Sequence, residues 1–188
     1  LAELWPRYGI EDNDALLDWA LLFGPEKPLT VEIGFGDGQC LRQLANANED
    51  MAYIGIESHR SGAGRLLMSL QKDALTNVKV LIDDAVDILT TRIASQSVDE
   101  FLIFFPDPWP KKRHQKRRII QPDFLAALKR VMKPGAQLRF ATDVRSYADE
   151  ALSIFLAADG YNWVAEPAAD WRKPPADHFR TRYETKNL

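Results

Sequence analysis

The sequence predicts an α/β fold, a mostly parallel sheet with helices on both faces. Three observations carry this. Short apolar runs alternate with longer amphipathic stretches along the chain. The first of those runs ends in a glycine-rich turn that leads into a helical pattern. With 188 residues, 46% of them hydrophobic and 27% charged, the chain is long enough for one domain with its own core. Residues 1–188 are therefore read as a single domain.

The elements follow in order. Residues 29–34 (LTVEIG) read as a strand, followed by glycines and a helix over about 38–48. Residues 52–57 (AYIGIE) form a second strand. Residues 60–75 carry Leu66, Leu67, Leu70 and Ala74 at helical spacing. A third strand covers 78–82, then a helix 85–93, and a fourth strand covers 98–105. Pro122 suits the first turn of a helix over 122–132, and Gly135 is placed to stop it. A fifth strand is expected at 137–142 and a helix at 145–158, with further strands near 161–166 and 181–186. Such alternation implies right-handed crossovers, and ligands of such sheets bind beyond the carboxyl ends of the strands.

Bulk composition narrows the function classes. The balance of residues excludes a disordered, collagen-like or low-complexity chain. The single cysteine, Cys40, forms neither an internal disulfide nor a cysteine zinc cluster, which points to a reducing, cytoplasmic setting. No apolar run reaches the ~18 residues of a membrane span, and no signal peptide is visible. The net charge of −3 would by itself argue against a nucleic-acid partner. Monomer and homodimer are both compatible with the sequence.

Each of the first five strands carries an acid at or just past its carboxyl end: Glu32, Glu57, Asp84, Asp107 and Asp143. Single acids there are common as loop residues or helix caps, but five on one rim suggest a site. Glu32 opens the run Glu32-Ile33-Gly34-Phe35-Gly36-Asp37-Gly38. Alternate glycines, Gly34, Gly36 and Gly38, let the backbone turn tightly and approach a ligand, and the following helix offers free N–H groups. The spacing is G-x-G-x-G rather than the dinucleotide pattern G-x-G-x-x-G, and a row of carboxylates would repel a pyrophosphate. The better match is an adenosine-containing, phosphate-free, cationic ligand, as S-adenosylmethionine is. Glu57 is then placed for the ribose hydroxyls. Asp84 would accept from the adenine amine beside the backbone N–H of Ala85, or cap the next helix, or do both. Glu32 would orient the glycine loop or hold the methionine amine.

After the fourth strand comes Phe105-Pro106-Asp107-Pro108-Trp109-Pro110. Three alternating prolines exclude helix and central strand, so the loop is stiff and holds one carboxylate at a fixed place. Next is Lys111-Lys112-Arg113-His114-Gln115-Lys116-Arg117-Arg118, with six cations in eight residues. Taking those six charges from −3 leaves −9 on the other 180 residues. A charge run is often only a solvated face, but this one abuts the candidate catalytic loop and would hold an RNA backbone there.

These residues together resemble the bacterial tRNA (guanine-N7-)-methyltransferase family, within the Rossmann-like class I S-adenosylmethionine-dependent methyltransferases. The resemblance rests on the motifs EIGFGDG at 32–38, GIESHR at 55–60, DAV at 84–86, FFPDPWPKKRHQKRR at 104–118, ATD at 141–143 and TRYE at 181–184. It extends from about residue 29 to 186. It implies methylation of the guanine at position 46 in the tRNA variable loop. By that resemblance Glu32, Glu57 and Asp84 contact the cofactor, Asp107 is the acid at the catalytic centre on both the cofactor and substrate sides, and Lys111, Asp143, Thr181, Arg182, Tyr183 and Glu184 bind substrate. Lys112, Arg113, Lys116, Arg117 and Arg118 are assigned to the tRNA backbone. Members of the family usually carry a basic arm before the Trp5-Pro6 segment and continue beyond the T-x-Y-E stretch, so a trimmed chain is expected.

Other residues are read more plainly. Cys40 reads as a buried core residue and His59 as a possible neighbour of the cofactor, while His114 is a phosphate contact at most, with no metal partner at ligand spacing. Trp109 is the tryptophan best placed to line the site, whereas Trp19 and Trp163 read as packing residues. Residues 166–175 read as a proline-rich loop over the rim. A competing enzyme class would use Asp107 and Asp143 to hold Mg²⁺ for phosphoryl chemistry. A non-catalytic RNA-binding module leaves the acids behind the glycine loop unexplained, and a small-molecule methyltransferase would not need the cationic run.

Overall fold

In the computed structural model the described residues are 2–11, 13, 15–25, 27–165, 167, 172–175, 178–179, 181 and 184. Two short helices, α1 (Trp5–Tyr8) and α2 (Trp19–Phe23), precede the first strand. The chain then runs β1 (Leu29–Ile33), α3 (Gln39–Ala47), β2 (Ala52–Ile56), α4 (Arg60–Lys72), β3 (Val78–Leu81), α5 (Ala85–Thr91) and β4 (Val98–Phe104). A 3₁₀ helix (Lys112–Arg117), α6 (Pro122–Val131), β5 (Met132–Ala141) and α7 (Arg145–Ala157) complete the described elements.

All the strand pairings are parallel, in the order β3-β2-β1-β4-β5. β1 and β2 are buried at every position, as a sheet covered on both faces requires. Alternate side chains feed two cores. Ala52, Ile54 and Ile56 join the cluster that holds α5, α6 and α7, while Tyr53 joins the cluster with α1, α3 and α4. The order reverses between β1 and β4, which opens a crevice at the carboxyl ends of those two strands.

The predicted alternation is present through α7, with differences at the end of α6. That helix stops at Val131, and β5 begins at once, pairing Met132 with Val98. The register then shifts so that Gln137 faces Glu100. Gly135, at φ +81°, sits inside this irregular stretch and does not cap the helix. Asp99 pins the stretch, accepting from Lys133 Nζ at 2.7 Å and from the Leu29 N–H at 2.8 Å.

Among the described residues the two last predicted strands are not found. Residues 161–165 form no strand, and Glu184 is helical. Thr181 and Glu184 exchange hydrogen bonds, Thr181 N–H to Glu184 Oε2 at 2.7 Å and Glu184 N–H to Thr181 Oγ1 at 3.3 Å. This is the reciprocal pattern of a capping box between Thr181 and Glu184. Arg182, Tyr183 and the rest of the predicted strand over 185–186 lie outside the described residues, as do residues 166 and 168–171 of the loop at 166–175.

Candidate active site

A cavity of about 420 Å³ lies at the carboxyl ends of the central strands. Its floor is the glycine turn (Gly34, Gly36), and its walls include Glu32, Glu57 and His59. Phe104, Phe105 and Thr181 close the side toward β4. The volume lies within the ordinary range for a small-molecule site.

Glu32 is 3% exposed, and its Oε2 has no hydrogen-bond partner among the described residues. Burial is the main cause that pushes its carboxyl up to about 8, and the nearby Asp37 and Glu57 charges add to it. A backbone hydrogen bond from Leu41 opposes the rise. The result is a buried acceptor whose negative form becomes stable when a cationic group arrives. Burial likewise raises the Cys40 thiol, which lines the same cavity, so Cys40 is both a packed core residue and part of the wall.

Glu57 stands one residue past β2 and fastens the glycine turn. Its Oε2 accepts from the Gly36 N–H at 3.0 Å, and its Oε1 accepts from the His59 N–H at 3.0 Å. The His59 ring lies 3.2 Å from the same Oε1, which explains why His59 borders the cavity. The helix that follows presses directly on this turn. A Cβ on Gly62 would come within 1.9 Å of the Gly36 carbonyl oxygen, so only glycine lets α4 lie there. Gly62 was not among the residues the motifs singled out. The signal was a glycine inside a helical stretch, where its low propensity asks for a packing reason.

Asp84 and Ala85 are not among the residues lining the cavity, and neither are Gly38 and Asp107. Asp84 is the N-cap of α5, its Oδ1 accepting from Val86 N–H at 2.8 Å and Asp87 N–H at 3.3 Å. Of the two roles open to it, capping is the one the side chain performs in this structure.

The proline loop leaves β4 beside the cavity and carries Asp107 outward to an exposed position. Two bulky residues in left-handed backbone, Phe105 at φ +50° and Trp109 at φ +41°, bracket it. Such strain persists only where neighbours hold it. Trp109 lies outside the cavity wall. Arg117 sits 5.0 Å from the centroid of its ring, and the His114 ring meets it edge-on at 5.9 Å. The cationic run folds into the 3₁₀ helix beside this loop. Lys112, Arg113, Lys116 and Arg117 are exposed on it, and Lys111 is exposed just before it.

Arg118 is different and corrects the sequence expectation. It is 2% exposed, pairs with Glu150, and stacks 4.7 Å from the Tyr147 ring centroid. A side chain turned into the core does not reach a phosphate. Asp143, two residues past β5, is exposed at the start of the loop into α7. Glu184 faces the cavity side through Thr181. Its carboxyl is raised by burial but held below its ordinary value overall by hydrogen bonds from Thr181 and His178. His178, which the motifs did not flag, donates from Nε2 to the Glu184 carboxylate at 2.9 Å and packs edge-on against Phe104 at 5.6 Å. Among the described residues, no three His, Cys, Asp or Glu side chains converge as a metal-ligand set. Nor is any helix among them long and apolar enough to cross a membrane.

A family model described as "Putative methyltransferase" matches residues 26–188. A tRNA (guanine-N(7)-)-methyltransferase of Hyphomonas neptunium is 44% identical over 188 residues, covering 100% of this chain and 85% of the relative. One of Alcanivorax borkumensis is 42% identical, covering 98% of this chain and 78% of the relative. Among solved structures, a precorrin-6y C5,15-methyltransferase from Geobacter metallireducens is similar at TM-score 0.56 with 14% identity, covering 69% of this chain and 61% of that one. An rRNA methylase from Streptococcus thermophilus is similar at TM-score 0.53 with 12% identity, covering 74% and 75%. At such identities the structures speak for the fold, which is the Rossmann-like class I methyltransferase fold. The sequence relatives carry the finer assignment: the chain belongs to the tRNA (guanine-N(7)-)-methyltransferase family.

Proposed function

We propose that this chain transfers the methyl group of S-adenosylmethionine to N7 of guanine in tRNA, at position 46 of the variable loop. The observation that carries the reading is the place of the Asp107 loop. It lies between the cavity, whose wall it reaches through Phe104 and Phe105, and the exposed cations of the 3₁₀ helix.

The cavity residues fit S-adenosylmethionine. Asp37 and Glu57 would repel a phosphorylated ligand, and Glu32, which ionises when a cationic group arrives, would favour a cationic one through its unpartnered Oε2. Glu57 would exchange its bond to Gly36 for the ribose hydroxyls, and Asp84 with the Ala85 N–H would meet the adenine edge from beyond the cavity wall. When bound, S-adenosylmethionine supplies an electrophilic methyl on a cationic sulfur.

The chain's own residues then have a limited task. Guanine N7 carries an in-plane lone pair and no proton, so no residue must act as a general base. The methylated base is cationic, and Asp107 would offset that charge or accept from a guanine N–H or the cofactor amine. Asp143 and Glu184 would take the N1–H and N2–H₂ donors, with Lys111, Thr181, Arg182 and Tyr183 completing the substrate side. Positioning of this kind lowers barriers by up to about 7–11 kcal/mol in favourable cases. Lys112, Arg113, Lys116 and Arg117 would hold the RNA backbone, which orients the substrate without specifying it. Residues 1–188 would act as one domain in the cytoplasm, with tRNA as partner.

The test is incubation with methyl-labelled S-adenosylmethionine and unmodified tRNA, followed by mapping of the labelled base. Label at N7 of guanine 46 is expected. Label on another base or in another loop would contradict the reading.

A further inference from the structure

We infer that Arg118 is a positioning residue: a buried strut that sets the place of Asp107 relative to Asp143. The inference rests on the functional reading above. Arg118 Nε donates to the Pro108 carbonyl at 2.8 Å. That carbonyl immediately follows Asp107 in the loop and precedes Trp109, whose φ is +41°. A tryptophan in left-handed backbone is disfavoured, and the bond at the neighbouring carbonyl is what holds it. The other end of the loop is held separately, by Phe105 N–H donating to the Ala141 carbonyl at 2.8 Å.

Arg118 is anchored on the far side by α7. One Nη1 pairs with Glu150 and lies 3.5 Å from the Ser146 carbonyl, and the guanidinium covers Tyr147. Tyr147 is fixed in turn, since its hydroxyl accepts from the Ile120 N–H at 3.3 Å. Helix α7 begins at Arg145, two residues past Asp143. A single guanidinium therefore links the loop of one exposed acid to the helix that starts beside the other. The planar fork can reach both partners at once, whereas a lysine ammonium at the same place cannot span them. The strut is not needed for burial alone. Arg118 Nη2 has no partner among the described residues, and a buried ion pair replaced by apolar groups often costs little stability.

The experiment compares Arg118→Lys, the apolar pair Arg118→Met with Glu150→Leu, and the isostere Glu150→Gln with the parent chain. Steady-state methyl transfer, cofactor KM, the salt dependence of tRNA binding, and amide exchange at Phe105 and Ile120 are measured. Arg118→Lys and the apolar pair are expected to lower kcat at least tenfold while cofactor KM stays within about twofold, because no residue of the strut lines the cavity. The salt slope is expected to stay that of the parent, and exchange to rise about tenfold or more at Phe105 and Ile120, whose N–H groups donate to the Ala141 carbonyl and the Tyr147 hydroxyl. Glu150, whose side chain is partly exposed, tolerates the isostere, and Glu150→Gln should give a smaller loss in the same direction. Parental kcat and exchange in Arg118→Lys or in Glu150→Gln would overturn the strut. Loss of tRNA affinity with a shallower slope in Arg118→Met/Glu150→Leu, spared in Arg118→Lys, would make Arg118 a phosphate contact instead. Should the parent transfer no methyl group, the functional reading fails, and the exchange measurement still decides the strut.

Discussion

The rim of the sheet has two halves that use acids in opposite ways. On the β1–β2 side, Glu32 and Glu57 are buried, at 3% and 9% exposure, and packed against a glycine turn that α4 presses into place. On the β4–β5 side, Asp107 and Asp143 are exposed on loops, and the cations of the 3₁₀ helix stand beside them in solvent. The first half is a preformed pocket for a small ligand, with its electrostatic cost already stored in a raised Glu32 carboxyl. The second is an exposed surface, a platform that the proposed function gives to the larger partner. A small cationic cofactor can be enclosed, whereas a folded RNA must be met on a surface.

The sharpest way to break the pocket half is to fill the contact between α4 and the turn. Gly62→Val places a side chain where the Gly36 carbonyl stands, so cofactor binding is expected to fall more than about a hundredfold, with thermal stability lowered by ~1–3 kcal/mol from overpacking. Isothermal titration with S-adenosylmethionine and a melting curve read both. On the platform half, Asp107→Ala is expected to reduce methyl transfer about a hundredfold while cofactor Kd stays within about tenfold. Normal turnover in that variant would remove Asp107 from the chemistry.

A milder effect concerns pH. The Glu32 carboxyl is raised by burial from 4.5 to about 8, so the folded chain holds a proton that the unfolded chain releases. Stability from this group is therefore present below 4.5 and lost as pH rises toward 8. Cofactor binding has the opposite sign, since a cationic ligand favours the ionised form: affinity should rise with pH up to about 8. Glu32→Gln should flatten both trends, as read by calorimetry and denaturation across that range. The smallest expected effect is at Asp84→Ala, where loss of the α5 cap should cost about 1 kcal/mol of stability. Cofactor Kd would change less than twofold if capping is its main role, and a larger change would restore the adenine contact.

The pocket half was legible in the chain because its logic is local. The acid, the alternating glycines and Glu57 nineteen residues on are all stated within one strand–helix–strand unit. Gly62 escaped because its necessity comes from a tertiary contact with Gly36, not from its own neighbours. On the platform half, nothing in K-K-R-H-Q-K-R-R marks the last arginine as different. Its inward turn follows from the positions of Pro108, Tyr147 and Glu150, which are set only when α7 packs. T-R-Y-E suits a strand by propensity, yet its T-x-x-E spacing also makes a capping box, and tertiary context chose the second for Thr181 and Glu184.

The central claim is that the two halves bind different partners independently. The most direct test is a variant with Lys112, Arg113, Lys116 and Arg117 all changed to Ala, titrated separately with S-adenosylmethionine and with tRNA across salt concentrations. Cofactor affinity should be unchanged within about twofold, while tRNA binding weakens and its log–log salt slope becomes shallower by about three. Parental tRNA binding with an unchanged slope, or an equal loss of cofactor affinity, would contradict the account.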